Sequence, residues 1–332
     1  MRALITAPLT EESLDELRSE GLDIDYKSWL ETGKLYLGGS LLPVIKSGKY
    51  DIVVVEGDEI KEEVIEGSSL KLIGAVRGDP NNISLSAATA KKIPVISVPG
   101  RNTNAVAELT LALILALARK ITAAERLLQG DFLVDDFKDF GKMYNDLMGF
   151  ELKGRTAGII GLGQIGYAVA KRLQSFGVDI LVTDPYVNMT RVRDVRGSVV
   201  ELDELLMNSD IVTVHCVPTE ETRGMLGTRE FSLMKKTAIF INTARASIID
   251  EGALKDALKS GIIAGAGLDV FSMEPVDSDN EFLELDNVTV MPHMGGNTKE
   301  TILRQSAVIV SDIKAFLRGE ELTHILNPEV LE

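Results

Sequence analysis

The chain predicts an α/β fold of two doubly wound domains, on three observations. Short apolar runs rich in valine and isoleucine recur along its 332 residues, helical patterns separate them, and a glycine-rich turn, GLGQIG at residues 161–166, opens the second series. Strands that alternate with helices pair in parallel, because each crossover returns the chain to the same end of the sheet. The first series runs RALIT, a helical EESLDELRSE, DIVVVE, SLKLIGAV, a helical AATAKK and IPVISVP. It is compatible with a small flavodoxin-like layer. Next, LTLALILALA at 109–118 is too short for a bilayer span, which needs about 20 residues. Its all-round apolarity predicts a helix wedged between protein layers. The second series runs TAGIIG, DILVTD, DIVTVHCVP, AIFINTA, AGAGLDV and VTVMPH, six strands in the doubly wound pattern.

Composition sets the class. At 45% hydrophobic the chain is globular, and its length predicts about two domains. A net charge of -15 argues against nucleic acid or anionic membrane as partners, since both reward clustered Lys and Arg. Small anions are then captured by local groups. The single cysteine, Cys216, excludes an intramolecular disulfide framework, and the start MRALITAP lacks a charged region followed by an apolar signal core. A cytoplasmic location is expected, and no metal site.

A lone GxGxxG is weak and fits an ordinary turn. Here it follows TAGII and opens the helical QIGYAVAKRLQSF, the context in which it binds a dinucleotide. Gly161 then permits the tight bend, Gly163 lets backbone approach a pyrophosphate, and Gly166 allows close helix packing, while the helix N-terminus attracts phosphate. Asp184 ends DILVTD, where a carboxylate accepts ribose hydroxyls and repels a 2'-phosphate. That favours NAD over NADP. Arg191 and Arg193 are the nearby cations within reach of a phosphate.

Arg245, Glu274 and His293 stand in three short motifs, INTARASIIDEGAL, GLDVFSMEP and MPHMGG. Moving a hydride to or from the second carbon of a hydroxy acid requires a grip on the carboxylate, a polarised carbonyl and one exchanged proton. A planar guanidinium suits the first two, because it donates two charge-assisted bonds at once. A histidine, with an ordinary pKa of about 6.5, suits the third, and a carboxylate beside it favours its proton-donating form. Each residue also has a bland reading: Arg245 as a surface arginine at a strand end, which the bare string NTARAS favours, and Glu274 before Pro275 as a solvated turn. His293, between Pro292 and a Gly-Gly pair, is placed for a tight backbone to aim its ring. His215, ending IVTVH, reads as a satisfied histidine near the cofactor, and His324 as structural.

The ordered set ELKGRTAGIIGLGQIG, INTARASIIDEGAL, LDVFSMEP and PHMGGNT resembles the D-isomer-specific 2-hydroxyacid dehydrogenase family, especially its phosphoglycerate dehydrogenase-like members. From about Asp51 to the last helix nearly every segment has a family counterpart; the first fifty residues match loosely. The resemblance implies that Arg245 binds substrate, His293 is the general acid/base and Glu274 tunes it. It implies a Rossmann NAD-binding domain, residues 102–298, inserted in a flavodoxin-like substrate-binding domain, residues 1–101 plus 299–332, because the segment KETILRQSAVIVSDIKAFLRGE crosses back. Gln164 and Ile165 would touch the pyrophosphate. Cys216, Val217 and Pro218 with Thr222 would line the adenosine side, Thr243, Ala244 and Asp269 would meet the nicotinamide end, and Gly295 and Gly296 would close around it. Arg77 and Gly78, in VRGDPNNIS, would hold the substrate carboxylate together with Arg245 and His293. The family also implies a homodimer through the NAD-binding domain. DFLVDDFKDFGKMYNDLMGF lacks a tryptophan that many relatives place there, so no dimer contact is carried over residue by residue.

The function expected is therefore an NAD-dependent D-2-hydroxyacid dehydrogenase acting on a small 2-hydroxy or 2-oxo acid, phosphoglycerate dehydrogenase-like or glyoxylate/hydroxypyruvate reductase-like. Asp79 stands where a small residue is expected, and its charge is unfavourable to a second anion, which counts against phosphoglycerate. Residues 25–40, with the only tryptophan at 29 and glycines at 33, 38 and 39, have no clear counterpart; they shape the pocket or form a surface excursion. No segment follows residue 332 for the regulatory domain that some phosphoglycerate dehydrogenases append, so feedback control through one is not expected. Formate-oxidising relatives would carry glutamine in place of Glu274. An NAD-sensing, corepressor-like binding protein is the alternative from another class, and retention of all three catalytic residue types argues against it.

Overall fold

The computed structural model describes residues 1–130 and 134–331. The chain forms two compact units, Met1–Arg101 with Thr298–Glu332, and Asn102–Asn297. Residues 131–133 of the stretch DFLVDDF lie outside the described residues.

In the first unit five parallel strands, β1 (Arg2–Ile5), β2 (Asp23–Tyr26), β3 (Ile52–Val55), β4 (Leu72–Ala75) and β5 (Val95–Ile96), take the order β2-β1-β3-β4-β5. This is the flavodoxin-like order. Side chains of the IVVV strand alternate between two cores: Val53 and Val55 pack with Leu41, Ile45 and Val64, while Ile52 and Val54 pack with Leu14, Leu17, Ile309 and Ile313. Both faces are covered by helices, so the strand reads as continuous apolar sequence. The second set shows why the Lys299–Arg318 helix belongs to this unit: it lies beside the Glu11–Ser19 helix, and Lys314 pairs with Glu16 at 3.0 Å. From within the Lys299–Arg318 helix, Asp312 accepts the N–H groups of Thr323 and His324 in the segment that follows and bonds the His324 ring at 2.9 Å. His324 thus fastens the tail.

Several elements here escape the sequence reading, among them the Glu62–Gly67 helix between β3 and β4. The edge strand β2 is DIDY, whose alternating acids hide its pairing with β1. The Leu41–Gly48 helix and the strand–helix link of residues 27–40 follow it. That link lies along the carboxyl ends of β1 and β3: Trp29 N–H donates to the Thr6 carbonyl, Tyr36 N–H to the buried Asp58, and the Trp29 indole to Glu56 at 2.8 Å.

The second unit holds, among the described residues, seven parallel strands: β6 (Thr156–Ile160), β7 (Asp179–Thr183), β8 (Ser198–Val199), β9 (Ile211–Val214), β10 (Ile239–Asn242), β11 (Gly265–Leu268) and β12 (Val288–Val290). Their order is β12-β11-β10-β9-β6-β7-β8, a Rossmann sheet whose strand order reverses between β6 and β9. The exposed two-residue β8 is the strand the sequence pattern omits. The apolar 109–118 run lies in the helix Thr103–Ala118, where Leu113, Ile114 and Ala118 pack with Ile159, Val169 and Ile241.

Candidate active site

In the second unit the motif residues follow the carboxyl ends of the strands: the glycine turn after β6, Asp184 after β7, residues 215–222 after β9, Thr243–Arg245 after β10, Asp269–Glu274 after β11 and His293 after β12. Ligands of open α/β sheets bind at that edge, at the switch point.

The turn is built for a phosphate. Gly161 sits at φ +91°, and a Cβ there would lie 2.7 Å from the Cys216 nitrogen; a Cβ on Gly166 would lie 2.1 Å from the Gly161 carbonyl oxygen. Neither position admits a side chain without moving backbone. Gly163, by contrast, faces open space and caps the twelve-residue helix Gln164–Ser175, so Gln164 and Ile165 form its first turn and the N-terminal N–H groups stand ready for an anion. Gly166→Ala is expected to cost about 1–3 kcal/mol, as overpacking does, and to weaken NADH binding. Thermal denaturation with and without NADH measures both, and an unchanged melting temperature would show that the turn yields.

Asp184 is the partner of this turn. Its Oδ2 accepts the Leu162 N–H and its Oδ1 the Tyr186 N–H, each at 2.8 Å. Arg191 reaches the other side of the same residue, donating to the Leu162 carbonyl at 3.1 Å and lying over the Tyr167 ring. On the next loop, Thr222 donates to the Val217 carbonyl at 2.7 Å and accepts the Thr219 N–H, closing a tight turn after Cys216, Val217 and Pro218. Desolvation pushes the Cys216 thiol up to about 11 and the His215 ring down to about 3. His215 is therefore neutral and bonded to Thr213 at 3.0 Å, a satisfied histidine.

At the far end of the site, the buried Asn242 takes the Ala244 N–H and donates to the Arg245 carbonyl, both at 3.0 Å, and fixes the Thr243–Arg245 segment. Thr243 meets Thr110 at 2.9 Å between hydroxyls. Asp269, also buried, accepts the Met294 and Gly295 N–H groups at 2.7 and 2.8 Å, while burial, the largest influence, raises its pKa. It thereby holds the loop on which His293 adopts φ +56°, a left-handed conformation unusual for a side-chain-bearing residue. Gly296 lies on the same loop, close to Asn102.

His293 Nδ1 lies 2.7 Å from Glu274 Oε2, and Glu274 Oε1 accepts the Phe271 N–H at 3.0 Å. Arg245, exposed, joins them in the wall of a cleft of about 560 Å³ also lined by Ser247, Asp250 and Glu251. One cleft thus brings together a guanidinium, an imidazole and the carboxylate bonded to it. Arg77 and Gly78 belong to the first unit, where the Arg77 carbonyl accepts the Val98 N–H at 3.1 Å and Gly78 stands too close to Pro99 for a larger residue to enter freely.

A model of the D-isomer specific 2-hydroxyacid dehydrogenase NAD-binding domain matches residues 111–295. The chain belongs to this family. It is similar to D-3-phosphoglycerate dehydrogenase of Archaeoglobus fulgidus, 36% identical over all of this chain but 60% of the relative, and to glyoxylate reductase of Korarchaeum cryptofilum, 37% identical over 83% of this chain and 82% of the relative. The chain thus spans about 60% of the length of the phosphoglycerate dehydrogenase it matches. Its fold is similar to the crystal structure of the TT0316 protein of Thermus thermophilus, with TM-score 0.85, 32% identity and coverage of 98% of this chain and 100% of the other. Family membership makes NAD the cofactor, and the residues fit it: two glycines that exclude side chains, one that opens onto space, and a helix N-terminus beside an aspartate.

The sequence reading of this family site overlooked its supports. Asn242, Thr110 and the clasp between Glu251 and Ser272 touch the motif segments without belonging to the ligand set. Asn242 and Glu251 both lie within INTARASIIDEGAL, but an acid in a helix's first turn signals the helix dipole before anything else.

Proposed function

We propose that the chain is an NAD-dependent D-2-hydroxyacid dehydrogenase that interconverts a small 2-oxo acid and its D-2-hydroxy acid. The observation that carries the reading is the 2.7 Å contact of His293 with Glu274 in the wall that also bears Arg245. The glycine turn, Asp184, Thr243 and the 293–296 loop would hold the dinucleotide, which would supply or accept the hydride when bound. Arg245 grips the substrate carboxylate and polarises the carbonyl through its two-pronged donor face. With Nδ1 taken by Glu274, His293 exchanges the proton of the C2 oxygen through Nε2, and the adjacent carboxylate stabilises the charged ring. Arg77 and Gly78 are assigned to the substrate carboxylate as well. Asp79, exposed next to them, disfavours a dianionic phosphorylated acid and supports glyoxylate or hydroxypyruvate as the better substrates.

A homodimer through the NAD-binding domain is part of the proposal. Phe137, Phe140 and Tyr144 share one face of the Phe137–Asp146 helix with rings about 6 Å apart, and Phe137 is 91% exposed; exposed apolar clusters mark contact surfaces. A cytoplasmic location is in keeping with the lone cysteine.

Turnover of NADH with glyoxylate, hydroxypyruvate, pyruvate and phosphohydroxypyruvate tests activity and substrate together. NADH binding without turnover on any of the four would replace this reading with an NAD-sensing binding protein. NADH is expected to exceed NADPH in kcat/KM, because a 2'-phosphate would meet the Asp184 carboxylate. Asp184→Ala should narrow the gap mainly by weakening NADH, and it should also loosen the turn, since the Leu162 and Tyr186 N–H groups lose their acceptor. Equal use of both cofactors by the wild type would instead turn Arg191, already at Leu162, into a phosphate ligand.

A further inference from the structure

Glu251 opens the helix Glu251–Lys259, directly after its N-cap Asp250, whose side chain accepts the Ala253 N–H at 3.0 Å. The N-cap bond is thus made without Glu251. Its carboxylate reaches instead to the loop after β11, where Oε1 accepts the Ser272 N–H at 2.8 Å and Oε2 accepts the Ser272 hydroxyl. Ser272 is two residues before Glu274. On one side of it, Phe271 is buried in the core with Leu254 and Phe282, and its N–H holds Glu274 Oε1. That leaves Oε2 for the His293 ring. Ser272 itself is exposed, so no apolar packing of its own keeps the middle of the loop in place; the two bonds from Glu251 do. Side-chain rotation or a shift of the loop would take Glu274 off the ring.

We propose that Glu251 is a positioning residue for the proton-transfer pair, its two hydrogen bonds to Ser272 holding the 271–274 loop so that Glu274 stays on Nδ1 of His293. The assignment of that pair rests on the dehydrogenase reading, but the positioning can be measured without turnover. The ionisable groups around the ring are Glu274 in contact, Asp269 close enough to interact with its charge, and Arg245, Asp250 and Glu251 in the walls of the cleft. Two variants separate the hydrogen bonds from the charge of Glu251. Glu251→Asp keeps the charge and shortens the reach; Glu251→Gln keeps the reach, with an oxygen for the N–H and an amide for the hydroxyl, and removes the charge.

The experiment is an NMR titration of the imidazole resonances in the full chain with no cofactor or substrate. Only three histidines occur, and the His293 signal is the one lost in His293→Ala. Glu274→Gln provides the reference for a ring without its carboxylate. Glu251→Asp is expected to move the His293 midpoint towards that reference, while Glu251→Gln leaves it near the wild-type value. An unmoved midpoint in Glu251→Asp would overturn the proposal, and so would a shift in Glu251→Gln as large as that in Glu251→Asp, which would assign the effect to charge. In turnover, Glu251→Asp should lower kcat by up to about 100-fold, the scale of a small misplacement of catalytic groups, with KM for NADH unchanged. A wild type that binds NADH but turns over no 2-oxo acid would sink the dehydrogenase reading and leave the titration result standing.

Discussion

His293→Ala is expected to lower kcat for reduction of a 2-oxo acid by about 10²–10⁴-fold at neutral pH, the usual worth of a positioned acid/base group. NADH affinity should stay close to that of the wild type. The two effects separate because the residues assigned to the phosphates and the adenosine ribose sit on the loops after β6, β7 and β9, whereas His293 follows β12, the edge strand of the sheet. The variant also removes a residue held at φ +56°, and alanine is no better suited to that conformation, so a small loss of stability accompanies the change without explaining it. Steady-state kinetics together with NADH titration check both halves. Wild-type turnover in the variant would remove His293 from the chemistry, and a collapse of NADH binding would make its role structural.

What was legible in the sequence divides along a physical line. The strands of both sheets announce themselves as apolar runs because helices cover both faces, so no polar alternation interrupts IVVV or TAGII. The glycine turn is equally plain, since Gly161 and Gly166 occupy places where a Cβ would meet backbone and no other residue satisfies that demand. Edges are harder. DIDY at β2 and Ser198–Val199 at β8 each pair on one side only, and partial exposure lets them carry polar or short sequences that look like links. Arg245, Glu274 and His293 stand out as candidates in the sequence, although for Arg245 and Glu274 the ordered family motifs, not the residue types alone, outweigh the bland readings. Two of the supporting contacts are not legible, because each is defined by a distant partner: Thr110 meets Thr243 across 133 residues, and Glu251 meets Ser272 across 21, whereas Asn242 bonds Ala244 and Arg245 within one motif. Asp269 shows the same limit from the other side. Its motif marks it as important, yet only the structure reveals that both its oxygens organise the His293 loop.

Arg245→Lys is expected to reduce kcat/KM for the 2-oxo acid by about 10- to 100-fold, the equivalent of one charge-assisted hydrogen bond lost at about 1.5–3 kcal/mol. The substitution isolates geometry from charge. Arg245 is exposed, its backbone is anchored by Asn242 through the carbonyl, and its Nη1 donates to the Ala244 carbonyl at 2.6 Å. A lysine ammonium can replace that single bond and keeps the cation in the cleft, so stability and long-range attraction of the acid should be preserved. The planar fork is what it cannot replace: an arginine already bonded to Ala244 through one nitrogen retains further N–H donors in the same plane, enough to meet a carboxylate side-on while touching the carbonyl. Losses in both KM and kcat would follow, since the grip acts in the ground state and the polarisation grows as charge develops on oxygen. A variant with near-normal kinetics and an unchanged melting temperature would return Arg245 to the surface role that the bare string NTARAS suggests, and would leave the substrate carboxylate to Arg77 and Gly78.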